Sequence, residues 1–201
     1  MHQNLLIEAL NWQQSQTESR LKGDNTMRMT IGLLALATFA AAPAFAKSSN
    51  KLVVPIKTSE GQDAGTATFR QLKNRELSVK LNLKNLPFGQ HAVHIHEHAV
   101  CNAPDFKSAG GHFNPAGKQH GTMNPEGHHN GDLPQNVSIG EDHTGSASFK
   151  VSDLSMTAGK ANNILTGTAI VVHEKADDMK TDPTGNAGNR IACGVISAPT
   201  P

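Results

Sequence analysis

His94 and His96 stand two residues apart in a run, Ala92-Val-His-Ile-His96, that reads as a strand. Side chains at i and i+2 leave a strand on the same side, so one metal ion could take both imidazoles while Ile95 points the other way. His173 closes a second apolar run, Thr168-Ala-Ile-Val-Val-His173. Neither feature is specific by itself, because His-x-His pairs and strand-end histidines also arise by chance. A denser group lies between them: His112, His120, His129 and Asp132 fall within 21 residues, set among Gly, Asn and Pro. Imidazoles plus one carboxylate make a tetrahedral zinc set, and gaps of eight, nine and three residues suit a loop wrapped around an ion. A solvated histidine-rich loop is the other reading. The chain holds 11 histidines, ten of them after residue 90, an excess that suggests metal sites in that part of the chain.

Such groups need a scaffold. Several segments alternate in polarity or carry β-branched residues between turn signals. They are Lys51–Lys57, Gly65–Arg70, Glu76–Leu83, Ala92–His96, Ser146–Val151, Thr168–His173 and Cys193–Ile196. No stretch after Lys47 offers a convincing long amphipathic helix. Many short strands punctuated by Gly, Pro, Asn and Asp predict an all-β sandwich or barrel in one domain. Two stretches lack strand character, Val100–Asn136 and Glu174–Arg190. Long structureless connections in a compact domain are usually functional or disordered, and the first, rich in Gly, Pro and His, reads as a loop ordered by its ligands.

Charge is balanced, 18 Lys+Arg against 17 Asp+Glu, which gives no electrostatic case for a nucleic-acid or acidic-membrane partner. Near the start, Met27-Arg-Met-Thr, the apolar run Ile31–Ala42 and Pro43-Ala-Phe-Ala46 describe a secretory signal peptide. A membrane anchor would need about 20 apolar residues, and Lys47–Asn50 ends the run earlier. Residues 1–26 are polar and precede a signal that should stand first. The expectation is therefore a true start at Met27 or Met29, an over-called segment 1–26, a signal peptide ending at Ala46 and a mature domain 47–201. Export turns the two cysteines, Cys101 and Cys193, toward a disulfide, with two buried free thiols as the alternative.

Six motifs occur in order and make the sequence recognisable. They are His94-Ile-His-Glu97, Ser108-Ala-Gly-Gly-His-Phe-Asn-Pro115, Lys118-Gln-His-Gly121, His129-Asn-Gly-Asp-Leu133, Val172-His-Glu-Lys-Ala-Asp-Asp178 and Gly185-Asn-Ala-Gly-Asn-Arg-Ile-Ala-Cys-Gly-Val-Ile196. Together they resemble the copper/zinc superoxide dismutase family over essentially Lys51 to Ser197. The resemblance implies an eight-stranded Greek-key β-barrel with long metal-binding and guidance loops. It implies copper held by His94, His96, His112 and His173, and zinc held by His112, His120, His129 and Asp132, with His112 as the shared bridge. Asp177 matches the carboxylate that accepts hydrogen bonds from one copper and one zinc histidine. Arg190 matches the arginine that guides the anionic substrate, and Cys101 and Cys193 match the disulfide that pins the ligand loop to the barrel. His91 matches a structural histidine, whereas His98, His128 and His143 match no ligand position and read as surface residues. Cys101 stands earlier than in the eukaryotic enzymes, and the segment between Asp178 and Gly185 is short, so the guidance loop is reduced. The placement of Cys101 resembles the bacterial periplasmic branch.

The implied activity is conversion of two superoxide anions to O2 and hydrogen peroxide by copper cycling, with zinc in a structural role and His112 and Arg190 as the catalytic groups. The alternative is an exported copper-binding or delivery module without turnover, which would not need Arg190. A zinc hydrolase is disfavoured because four protein ligands would leave the zinc no open position. Superoxide is the expected partner, with no nucleic acid and no membrane span in the mature chain; monomer and homodimer are both open. Export to the periplasm is expected, with extracellular or envelope-associated forms also open.

Overall fold

The structure is a computed structural model that describes residues 50–198. The signal-peptide and start-site expectations concern residues 1–46 and lie outside the described residues. Nine strands form among the described residues: β1 Lys51–Thr58, β2 Asp63–Gln71, β3 Leu77–Lys84, β4 Gly89–His91, β5 Val93–His96, β6 Val137–Ile139, β7 Thr144–Val151, β8 Thr168–His173 and β9 Arg190–Ile196. Two short 3-10 turns, Lys107–Ala109 and Ile164–Thr166, are the only helical elements among the described residues. Seven strands make one sheet in the order β5-β8-β9-β1-β2-β3-β7, and β4 pairs with β6. Ala92 separates β4 from β5; its N–H donates to the Lys175 carbonyl and its carbonyl accepts from the His173 N–H. Counting β4 and β5 as one strand interrupted there restores the expected eight. No helix among the described residues is long and apolar enough to cross a membrane.

Alternation decides what fills the barrel. Leu77, Val79, Leu81 and Leu83 of β3 all face inward, joined by Phe69 from β2, Ile56 from β1, Ile95 from β5 and Ile170 from β8. β8 breaks the rule that one face stays wet: all six of its residues are buried. Ile170 and Val172 enter the main core, while Ala169 and Val171 on the opposite face pack with Phe106, Ala109 and Cys193 in a second, smaller core. The first long loop supplies Phe106 and Ala109, and its start is fastened by a disulfide from Cys101 to Cys193 in β9. The sequence-based pairing is thus present, and it clamps the loop over the outer face of β8 and β9.

Candidate metal centre

The outward positions of β5 and β8 carry the first three histidines. His94 lies opposite Val171 and His96 opposite Ala169, on the face that the loop covers, and His173 ends β8 on that same face. The loop then lies along the other side of β5. Ile95 N–H donates to the Gly131 carbonyl at 2.9 Å, Phe113 N–H to Ile95 at 2.8 Å and Glu97 N–H to Gly111 at 3.0 Å. These bonds carry His112 opposite His96 and Asp132 opposite His94. Gly131 is required for so close an approach, since a Cβ there would stand 2.2 Å from the Ile95 carbonyl oxygen.

Outer hydrogen bonds orient four of the rings. Asp177 accepts from His94 Nε2 at 2.8 Å and from His120 Nε2 at 3.0 Å. His96 Nδ1 faces the Gly110 carbonyl at 3.0 Å, and His173 Nδ1 faces that of Gly188 at 3.4 Å. A ring whose outer nitrogen donates keeps a lone pair on the other nitrogen. That leaves His94 Nδ1, His96 Nε2 and His173 Nε2 as donors on one side, with His96 Nε2 and His173 Nε2 3.3 Å apart. On the other side His120 Nδ1 and His129 Nδ1 gather about Asp132 Oδ1 at 3.0 and 3.3 Å. His112 belongs to both groups. Its Nδ1 stands 2.8 Å from Asp132 Oδ1 and 3.3 Å from His129 Nδ1, while its Nε2 is buried and has no hydrogen-bond partner.

This arrangement fits metal ions. His94 Nδ1, His112 Nε2 and His120 Nδ1 are buried without a hydrogen-bond partner, a condition native interiors rarely tolerate. The donor atoms of His94, His96, His112 and His173 lie within 4.8 Å of one another, as do those of His94, His112, His120 and Asp132. His94 falls within reach of the second group, but its Nε2 is committed to Asp177. His129 makes the better fourth member through its 3.3 Å approaches to His112 and Asp132. Metal–nitrogen bonds of about 2.0–2.1 Å in a tetrahedron place neighbouring donors roughly 3.3–3.4 Å apart. The observed separations of 2.8–3.3 Å are close to that edge.

Charge follows from the same contacts. Burial holds His96 and His173 well below the usual imidazole range, and neighbouring histidines and Arg190 push the same way. Burial, with His94 beside it, brings His112 down to about 4 despite its bond to Asp132. For His120 burial also opposes the cation, but the carboxylates of Asp132 and Asp177 beside the ring outweigh it and raise the group to about 9. Burial disfavours the Asp132 carboxylate too, yet contacts from His112, His120 and His129 and the Gly121 N–H hold it far below the ordinary range. His96, His112 and His173 are therefore neutral imidazoles, and the second group carries a fixed anion.

Arg190 reaches this face through a β-bulge. Val172 pairs with Ala192, whose side chain enters the main core, but His173 pairs with Arg190, so Ile191 is the extra residue. In an unbroken strand Arg190 would share the inward face of Ala192. The bulge turns it outward beside His173, a common use of bulges near functional sites. There Nη1 donates to the Phe106 carbonyl at 2.7 Å and Nη2 to that of Gly110 at 2.6 Å. Arg190 also borders a cleft of about 400 Å³ with Lys107 and Asn189. A larger cleft of about 660 Å³, lined by Thr58, Asn85 and His143, shares no residue with the histidine groups.

The other histidines stay apart from the donor sets. His91 is buried with its ring between the Pro87 and His173 carbonyls, and His143 bonds the Leu86 carbonyl. His98 is exposed beside Glu97, whereas His128 is half-buried against Asp153 and not fully on the surface as its sequence suggested. Sequence reasoning missed three supports. Asn136 exchanges two bonds with the Asp177 backbone at 2.8 and 2.9 Å. Asp182 accepts the His120 N–H at 2.6 Å. Gly185 leaves room for Asp177, because a Cβ there would stand 1.8 Å from Asp177 Oδ1.

A β-barrel bearing two adjoining histidine-rich donor sets that share one ring defines a protein built for two metal ions. The copper/zinc superoxide dismutase (SODC) family model matches residues 63–196. Superoxide dismutase (Cu-Zn) 2 of Aquifex aeolicus is 42% identical over 175 residues, covering 85% of this chain and 99% of the relative. The Cu-Zn enzyme of Caulobacter vibrioides is 42% identical over 145 residues, covering 70% of this chain and 82% of its own. The crystal structure of a SOD-like protein from Bacillus subtilis aligns with a TM-score of 0.68 at 39% identity, over 72% of this chain and 97% of that one. This chain belongs to the copper/zinc superoxide dismutase family, whose two metals are the ones the donor sets suit.

Proposed function

We infer that the chain is a superoxide dismutase in which His94, His96, His112 and His173 hold copper and His112, His120, His129 and Asp132 hold zinc. The observation that carries this reading is His112, whose two ring nitrogens face one donor set each. Copper at the first set would supply one-electron cycling, which zinc, fixed in oxidation state, cannot. The net reaction takes two superoxide anions and two protons to O2 and hydrogen peroxide. Arg190 binds the anion: two of its five N–H groups go to carbonyls, and the rest remain for an oxygen ligand. His112 Nε2, buried and free of protein partners, is the atom that holds a proton between the two electron transfers and delivers it to the reduced oxygen. Asp177 keeps the His94 and His120 rings aligned while that proton moves.

Arg190→Ala should lower the catalytic rate on the order of tenfold, within what electrostatic steering supplies, with both metals still bound. The wild-type rate should also fall with added salt, since screening acts over about 10 Å at 0.1 M, and the variant's rate should respond less. Rate measurements alongside metal content decide it. Full activity in the metal-loaded variant would remove the guiding role.

Export completes the proposal. The cationic start, apolar run and small-x-small site ending at Ala46 support cleavage to a mature chain 47–201 delivered to the periplasm. Trp12 is the only tryptophan and there is no tyrosine, so the exported protein should show phenylalanine, disulfide and copper absorption alone. A tryptophan emission band from protein recovered outside the cytoplasm would show that the early segment is retained.

A further inference from the structure

We propose that Asp182 is a positioning residue of the zinc-binding half of the site, holding the His120 backbone by a hydrogen bond and setting its charge behind His129. The proposal rests on the zinc reading above and extends it to a carboxylate outside the donor set. Asp182 Oδ1 accepts the backbone N–H of His120 at 2.6 Å and lies 3.8 Å from His129 Nε2. The two zinc histidines that are not shared thus each turn their outer nitrogen toward a carboxylate, His120 toward Asp177 and His129 toward Asp182. A carboxylate behind a metal-bound imidazole fixes its orientation and raises its basicity. At 3.8 Å the second contact is an ion-pair approach and not a direct hydrogen bond, so the His120 N–H bond is the firmer of the two.

The surrounding loop is built to deliver this carboxylate. Asp178 Oδ1 accepts the N–H groups of Lys180 and Thr181, and its Oδ2 accepts from Asn186. Gly185 N–H closes onto the Thr181 carbonyl and Asp178 N–H onto that of Gly185. Asp182 therefore sits in a short self-bonded loop that touches the ligand loop again where Met123 N–H donates to Met179. Asp182 is one of several ties between the two loops, and it reaches two of the four proposed zinc donors.

The test compares full-length mature wild type, Asp182→Asn and Asp182→Ala. Zinc affinity is read by competition with a chelator, and cobalt in the zinc position is read by its visible spectrum. Removing a carboxylate behind a metal ligand typically costs 10–100-fold in metal affinity. That loss is expected for Asp182→Ala, with a shifted cobalt spectrum. Asp182→Asn keeps an acceptor for His120 N–H but no charge toward His129, so its loss should be smaller. Wild-type affinity and an unshifted spectrum in both variants would overturn the proposal. Equal losses in both would also overturn it as stated, by removing the part played by the His120 bond. Should Asp182→Ala fail to fold, the Asn variant alone decides, an unchanged zinc affinity and cobalt spectrum overturning the idea. A wild-type protein that takes no zinc would instead overturn the four-donor reading beneath it, a result distinct from a difference among variants.

Discussion

Zinc should be absent from purified Asp132→Ala, while copper remains and still turns over in a protein less stable to heat. Asp132 is the only anionic side chain among the four proposed zinc donors, and its Oδ1 approaches all three imidazoles at 2.8–3.3 Å. Its Oδ2 also accepts the N–H groups of Gly121 and His129, at 2.9 and 3.0 Å. The substitution therefore removes a ligand and strands two buried donors, each costing about 1–3 kcal/mol when left unpaired. Both losses fall on the loop that carries the histidines. Metal content by mass spectrometry after dialysis, with thermal unfolding of the same sample, tests this. A variant holding one zinc per chain would show that Asp132 is not a ligand.

Cys193→Ser, or reduction of the wild type, should lower stability by roughly 2–5 kcal/mol. The cross-link spans a sequence separation of 92 residues, for which the chain-entropy model gives about 4–5 kcal/mol. Burial supplies a second reason. The tethered loop lays Phe106 and Ala109 over Ala169 and Val171, and without the bond that cover is held by packing alone. Activity should fall as well, because the carbonyls that grip Arg190 belong to Phe106 and Gly110 in the same loop. Urea denaturation midpoints with and without reductant provide the measurement. Coincident midpoints would show that the bond contributes nothing.

Much of the scaffold was legible because period-2 patterning in long strands is a strong signal. β3 announces its inward face as Leu77, Val79, Leu81 and Leu83, and the apolar run of β8 reads as a strand, whose cover on both faces only the structure shows. β4 and β6 were missed, since three residues each are too few for any periodicity. The proposed metal ligands were named from residue type and motif order; six of the seven lie in the two donor groups, and His129 stands 3.3 Å from His112 and Asp132. Their supports were hidden. Register decides that Ile191 is a bulge, and register is a property of two strands. Gly131 and Gly185 look like any of the 18 glycines until a carbonyl or a carboxylate is seen pressed against them. Asp182 and Asn136 act through partners 62 and 41 residues away, a separation that local sequence cannot reveal.

One imidazole serving both donor sets makes the two affinities thermodynamically inseparable. On the proposed assignment an ion on His112 Nδ1 changes the charge and orientation of the ring whose Nε2 faces the other set, and Asp177 adds a strut between His94 and His120. Whatever factor zinc contributes to copper affinity, copper must return to zinc, because coupling between binding sites is reciprocal. Metal loading of this chain is then described by two intrinsic affinities and one shared coupling constant. The factor by which zinc shifts a copper titration must equal the factor by which copper shifts a zinc titration, and the two together measure how rigidly that single ring is held.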